Sequence, residues 1–327
     1  MRFGARIGHG LLHALAFAGF IAACTPAEAA LSCTFTISNE AFGTVDLTAN
    51  TTFDTTATFS ANCTGGTASS TARVCPNIGS GTGGSTNGTV RFMLNGANQV
   101  SYNLYQDAAR TTVWGSYLWP WPTLTPPTVD IALNSSGVGS TTRTIYGRIL
   151  AGQQAMPPAA YSSSFSTTHT AISYAQSTVG NCATIGNTNA VQAAFTVTAT
   201  HVAVCRIATT IVDFGTKGVL STNTDVTGTI TPTCSATTPY TISLNGGNSG
   251  AANPTLRKMA NGAVQITYGL YSDSARTLGW GSTVGTNTVA GTGSGLGQAL
   301  TVYGRVPVQT TPAPGTFTDT VIATVTY

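Results

Sequence analysis

The chain repeats itself. "YNLYQDAARTTVWG" (Tyr102–Gly115) and "YGLYSDSARTLGWG" (Tyr268–Gly281) share Tyr, Leu, Tyr, Asp, Ala, Arg, Thr, Trp and Gly in register, 166 residues apart. Further landmarks follow the same order in both halves. "CTFTISNEAFGTV" from Cys33 answers to "CRIATTIVDFGTK" from Cys205, and "ATFSANC" (Cys63) to "GTITPTC" (Cys234). "VRFMLNG" ending at Gly96 is set against "YTISLNG" ending at Gly246, and "IYGRI" (Tyr146) against "VYGRV" (Tyr303). Each half closes on a similar strand, "SFSTTHTAISY" to Tyr174 and "FTDTVIATVTY" to Tyr327. A duplicated unit folds as the same unit twice, and 327 residues is the length of about two domains.

Within each copy the pattern is β. Short runs alternate apolar residues with Thr, Ser or Asn, as in Val321, Ala323, Val325 and Tyr327, and Gly/Asn/Pro turns such as "NGG" and "PAPG" separate them. Thr suits a sheet with one wet face, because its methyl packs while its hydroxyl meets water. About seven such strands per copy predict an all-β chain of two tandem immunoglobulin-like β-sandwich domains. The expected division is a signal peptide over 1–29, an N-terminal domain over 30–200 and a C-terminal domain over 201–327.

The N-terminus reads as a processing signal: basic "MRFGAR", apolar "GLLHALAFAGFIAA", then the small residues "AEA" at Ala27–Ala29. An alternative is "IAAC" at Ile21–Cys24, which resembles a lipobox and would place a lipid anchor on Cys24. Either way six cysteines remain, and an exported protein is expected to pair them. The repeat suggests Cys33–Cys63 and its counterpart Cys205–Cys234, leaving Cys75–Cys182 for the first copy alone.

The ends of the copies differ. After its closing strand the first copy runs on into "AVQAAFTVTATHVAVC". There Val191, Ala193, Phe195, Val197 and Ala199 alternate with polar or small residues, one more strand over Ala190–Thr200. The second copy stops at Tyr327, so the C-terminal domain is expected to lack a strand. A sandwich short of a strand exposes core and two rows of backbone groups, and invites a strand from another chain.

The assembled pattern, Cys…FG…Cys…LN-x-G…Y-x-LY-x-D-x-x-RT-x-x-WG…YGR…TD-x-V…V-x-Y, resembles the spore-coat-U-like pilin domain of archaic (Csu-type) chaperone–usher pili. Two such domains in tandem resemble the tip adhesins of those pili. The resemblance implies export through the periplasm to the cell surface at a pilus tip. It also implies as partners a periplasmic pilus chaperone, an outer-membrane usher and the next pilus subunit through its donor strand. Only "ALS" or "LS" separates the expected cleavage site from Cys33, too short to be a donor strand at about 3.3 Å per residue, as a terminal subunit requires.

Binding is expected in what the first copy has gained. Trp114 to Tyr146 spans 32 positions against 23 from Trp280 to Tyr303. The insertion, "GSYLWPWPTLTPPTVD", interleaves Tyr117, Leu118, Trp119, Trp121 and Leu124 with prolines. Proline stiffens such a loop and indole offers a large contact area, so an exposed apolar finger for hydrophobic surfaces is expected. A second candidate is "ILAGQQAMPPAAY", with Leu150 and Met156, and a third is the loop after Cys75, with Ile78.

Other classes find less support. Thirteen basic residues against ten acidic ones are scattered, without a basic run for a nucleic-acid backbone. His169 and His201 have no acid beside them, and neither G-x-S-x-G nor H-E-x-x-H occurs. No catalytic residues, metal or cofactor are therefore expected. Two rival readings stay open: a structural pilus or coat subunit without ligand, and a lipid-anchored carbohydrate-binding module.

Overall fold

The computed structural model describes residues 1, 3–4, 30–86, 89–118, 124–176, 180–186 and 189–327. The expected signal segment lies almost wholly outside them. The first copy supplies β1 (Ser32–Ile37), β2 (Glu40–Val45), β3 (Phe53–Thr64), β4 (Thr71–Pro76), β5 (Ser85–Thr86), β6 (Val90–Asn95) and β7 (Asn98–Tyr105). It continues with β8 (Val129–Ala132), β9 (Gly139–Ile149), β10 (Ala159–Phe165), β11 (Ala171–Gln176), β12 (Val191–Gln192) and β13 (Phe195–His201). The second supplies β14 (Cys205–Thr209), β15 (Thr224–Cys234), β16 (Pro239–Leu244), β17 (Arg257–Asn261), β18 (Val264–Tyr271), β19 (Val289–Thr292), β20 (Leu300–Val306) and β21 (Ala323–Thr326). The chain is all-β.

Alternation fixes which face of each strand is buried. In β13, Phe195, Val197, Ala199 and His201 are buried while Thr198 and Thr200 are exposed. In the first copy the order β1-β3-β9-β7-β6-β10-β13-β2 forms one sheet, with β5 beside β6, and β12-β11-β4-β8 forms the other. Their inner faces share one core, in which Phe35, Phe59, Trp114 and Ile145 meet Val74, Ile131 and Tyr174. The second copy has β14-β15-β20-β18-β17 and β19-β16-β21 around a core that includes Trp280, Ile242 and Leu270.

Register corrects one landmark. Arg91 pairs with Tyr102 across β6 and β7, and Arg257 pairs with Tyr268 across β17 and β18. The counterpart of "RFMLNG" is therefore "RKMANG" (Arg257–Gly262), on the same 166-residue offset as the Trp motif. "YTISLNG" belongs to β16, which like β4 sits between two neighbours in the smaller sheet. Both Trp indoles show the same correspondence: Trp114 Nε1 donates to Pro76 O at 2.7 Å, and Trp280 Nε1 to Ile242 O at 3.0 Å.

The expected strand over Ala190–Thr200 is also divided. β12 pairs with β11 in the smaller sheet, and the chain then crosses to the larger one as β13. The disulfides are Cys33–Cys63, Cys75–Cys182 and Cys205–Cys234. The first and third join residues directly opposite each other on β1/β3 and β14/β15.

Candidate functional site

The two copies diverge at one place. In the first, β13 lies between β10, antiparallel, and β2, parallel, with Phe195 opposite Phe165 and Val197 beside Glu40. In the second, the larger sheet stops at β17. The segments matching β2 and β10, residues 210–218 and 316–321, are present but are not strands, and among the described residues no strand lies between them. Of the β10-like segment only Thr318 keeps a bridge, to Ala260, matching Ser162 on Leu94. Each segment has lost the neighbour that would complete its ladder, so neither holds regular strand geometry.

What remains is a groove in two continuous parts of about 530 and 650 Å³. Its walls are 209–218 and 311–321, and its floor includes Leu244, Met259, Ile266, Tyr268, Leu270 and Val302. The floor is core left uncovered. Met93, Val100 and Phe165 are 0%, 1% and 1% exposed beneath β13. Their counterparts Met259, Ile266 and Val321 are only partly buried.

A buried arginine stands behind each site. Arg91 donates from Nε to Gly79 O at 2.7 Å and from Nη2 to Ile78 O and Trp114 O at 2.8 and 2.6 Å. Arg257 repeats this with Asn245 O, Leu244 O and Trp280 O, and adds Pro254 O. Burial lowers both guanidinium pKa values, that of Arg91 to about 10.

The nearby acid comes from different walls. In the first copy it is Glu40 on β2, fully buried. Burial raises its pKa to about 8, against the opposing pull of Arg91, Arg110 and the Gly147 backbone. In the second copy Val212 takes that position and lines the groove. The acid is instead Asp319, where the first copy has Ser163. Asp319 accepts from the Tyr268 hydroxyl at 2.6 Å and from Asn248 N at 2.7 Å. Burial, then Asp319, holds the Tyr268 phenol protonated.

The duplicated Asp/Arg motif is scaffold. Asp107 accepts from Thr111 N and Thr112 N, and Asp273 from Thr277 N and Leu278 N. Arg110 and Arg276 both have φ 58° and reach Gly147 O and Gly304 O at 3.1 and 3.2 Å. Each lies over a tyrosine ring at 5.6 Å, Tyr146 and Tyr303.

The candidate fingers separate. Trp119 and Trp121 lie outside the described residues. The base of their loop is ordered: Ser116 N donates to Leu124 O at 3.0 Å, Tyr117 N to Asn77 Oδ1 at 2.8 Å, and Leu118 N to Ser116 Oγ at 3.1 Å. Tyr117 is 39% exposed, while Leu118 and Leu124 are half-buried. The Cys75–Cys182 disulfide lies beside the far end of the loop, with Cys182 Sγ 3.4 Å from Thr128 Oγ1.

The second candidate loop is partly packed. Met156 packs against the first core, and Leu150 is half-buried. Gln153 bonds to the backbone of Ser101 and Leu150. Gly295 of the second copy lies so close to Gln154 that a Cβ there would overlap its carbonyl. The loop thus also touches the second copy. The third candidate is corrected: Ile78 is fully buried, with its amide bonded to Gly115 O.

The sequence profile of the Spore Coat Protein U domain matches residues 20–168 and again 191–324. The chain belongs to the Spore Coat Protein U domain family. Protein U of Myxococcus xanthus is 37% identical over 107 residues, 31% of this chain and 59% of that protein. The chain thus matches about three fifths of the length of this Spore Coat Protein U domain relative. In fold, the chain resembles the chaperone–tip adhesion subunit pre-assembly complex CsuC–CsuE, from archaic chaperone-usher Csu pili of Acinetobacter baumannii. The TM-score is 0.52 at 16% identity, covering 90% of this chain and 100% of that one. The CupB6 tip adhesin of Pseudomonas aeruginosa aligns over 91% of this chain and 95% of its own at 14% identity, with a TM-score of 0.35.

Proposed function

We propose that this member of the Spore Coat Protein U domain family is a pilus tip subunit that adheres to surfaces and supports biofilm formation. The groove of the second copy carries the reading: it lies where the first copy seats its own β13. A donor strand from the next subunit would fill it, supplying backbone bonds to both walls and alternate side chains to the floor. Before assembly the same exposed core would be covered by a periplasmic pilus chaperone, and an outer-membrane usher would deliver the subunit to the cell surface. The domain over 30–200, complete within itself, would be the adhesin. Its inserted loop, with Tyr117, Leu118, Trp119, Trp121 and Leu124, would meet hydrophobic surfaces. In this reading the protein is not an enzyme and uses no cofactor.

Val212 tests the groove directly. Val212→Arg puts a charge where an incoming strand would pack, and is expected to block binding of a strand peptide with the sequence of residues 190–202 and incorporation into pili. Unchanged incorporation would refute the groove as the docking site. The match to the Spore Coat Protein U domain favours a second reading, a structural coat or pilus subunit without ligand. Immunogold labelling along filaments instead of at their ends would support it.

A further inference from the structure

The "TD-x-V" motif of the closing segment has one side chain that the strand-acceptor reading leaves unused, Asp319. The segment around it lacks the neighbour that β13 gives β10 in the first copy. Its strand bonding is confined to the bridge in which Ala260 N donates to Thr318 O at 2.9 Å and Thr318 N to Ala260 O at 3.1 Å. One residue on, the Asp319 carboxylate takes the Tyr268 hydroxyl on one oxygen and Asn248 N on the other, 2.6 and 2.7 Å. Gly247 lies against the same carboxylate, without room for a Cβ. In the first copy Ser163 stands here, Glu40 approaches Arg91 from the opposite wall, and β13 holds the segment. The acid stands on β2 in the first copy and on the β10-like wall in the second.

We propose that Asp319 is a positioning residue that keeps the wall 316–321 of the empty groove in strand-accepting form. It ties the wall to the core tyrosine and to the 247–248 turn before any strand arrives. With valine at the Glu40 position, the facing wall offers Val212 and Phe214 to the groove beside Asp213. The role rests on the groove being a strand acceptor, and it predicts faster association without a change in the seated complex.

Amide hydrogen exchange on the full chain tests it, together with association of a fluorescent peptide of residues 190–202. Asp319→Ser installs the residue of the first copy. Loss of the bonds from Tyr268 and Asn248, along with the local one from Thr320 N, is expected to speed exchange at Thr318 about tenfold or more and to slow peptide association similarly. Dissociation and exchange in β15 and β20 should stay as in the wild type. Asp319→Asn, which keeps an acceptor, should restore most of the protection. Unchanged exchange at Thr318, or equal acceleration throughout the second copy, would overturn the proposal. If Asp319→Ser does not fold, Tyr268→Phe removes one of these bonds, and unchanged Thr318 exchange there overturns it as well. Failure of the wild type to bind the peptide would instead refute strand acceptance, with the exchange data still deciding the part played by Asp319.

Discussion

At the scale of single residues, the copies keep their arginines and exchange their acids. Arg91 and Arg257 each satisfy backbone carbonyls that the close packing of loop and Trp leaves inside the core, so both are structural. Glu40 has no counterpart acid in the second copy, and it makes the first copy sensitive to pH. Its folded pKa of about 8 lies above the ordinary 4.5, so the folded state favours the protonated form. The associated stability is fully present below pH about 4.5 and is lost as pH climbs through about 8. At roughly 1.4 kcal/mol per pH unit the effect amounts to a few kcal/mol. The groups facing Glu40 are Arg91, Arg110 and Tyr102. Glu40→Gln, which carries no titrating proton, is expected to flatten the dependence of the denaturant midpoint between pH 5 and pH 8. A wild-type midpoint already flat across that range would contradict it.

At the scale of elements, one strand separates the copies. β13 completes the first by pairing with β10 and β2; among the described residues the second has no such strand, and its two matching segments are not strands. The inserted loop after Trp114 is the other distinguishing element, braced at Asn77 and beside Cys182. Trp119→Ser with Trp121→Ser is expected to abolish attachment to plastic while the protein still folds and enters pili; attachment at the wild-type level would exclude the finger. The extra strand and the insertion were both legible as differences between aligned copies. The pairing of "RFMLNG" with "RKMANG" was equally visible at the 166-residue offset, but "LNG" occurs twice and drew the alignment to β16. That Met156 and Ile78 are packed inward was not legible, since a proline- or glycine-rich loop reads the same whether it faces solvent or another loop.

At the scale of the molecule, the copies meet through the Gly295 contact on Gln154 and through Arg206, which reaches Asp46 and donates to Thr48 Oγ1 at 2.8 Å. A complete domain joined to an incomplete one should not unfold as one body. Calorimetry is expected to show two transitions, the lower from the second copy, and a peptide of residues 190–202 should raise that one by mass action. A single transition unmoved by the peptide would count against an open groove. Alternation, spacing and repetition are local or self-referential signals, and they were enough for the duplication, the β class, the cysteine partners and the extra strand of the first copy. The rest needed the tertiary structure: that a groove lies between the segments of Val212 and Asp319, and that one proline-rich loop reaches the second copy at Gly295. Those outcomes depend on which distant segments share a space, and distance along the chain does not encode that.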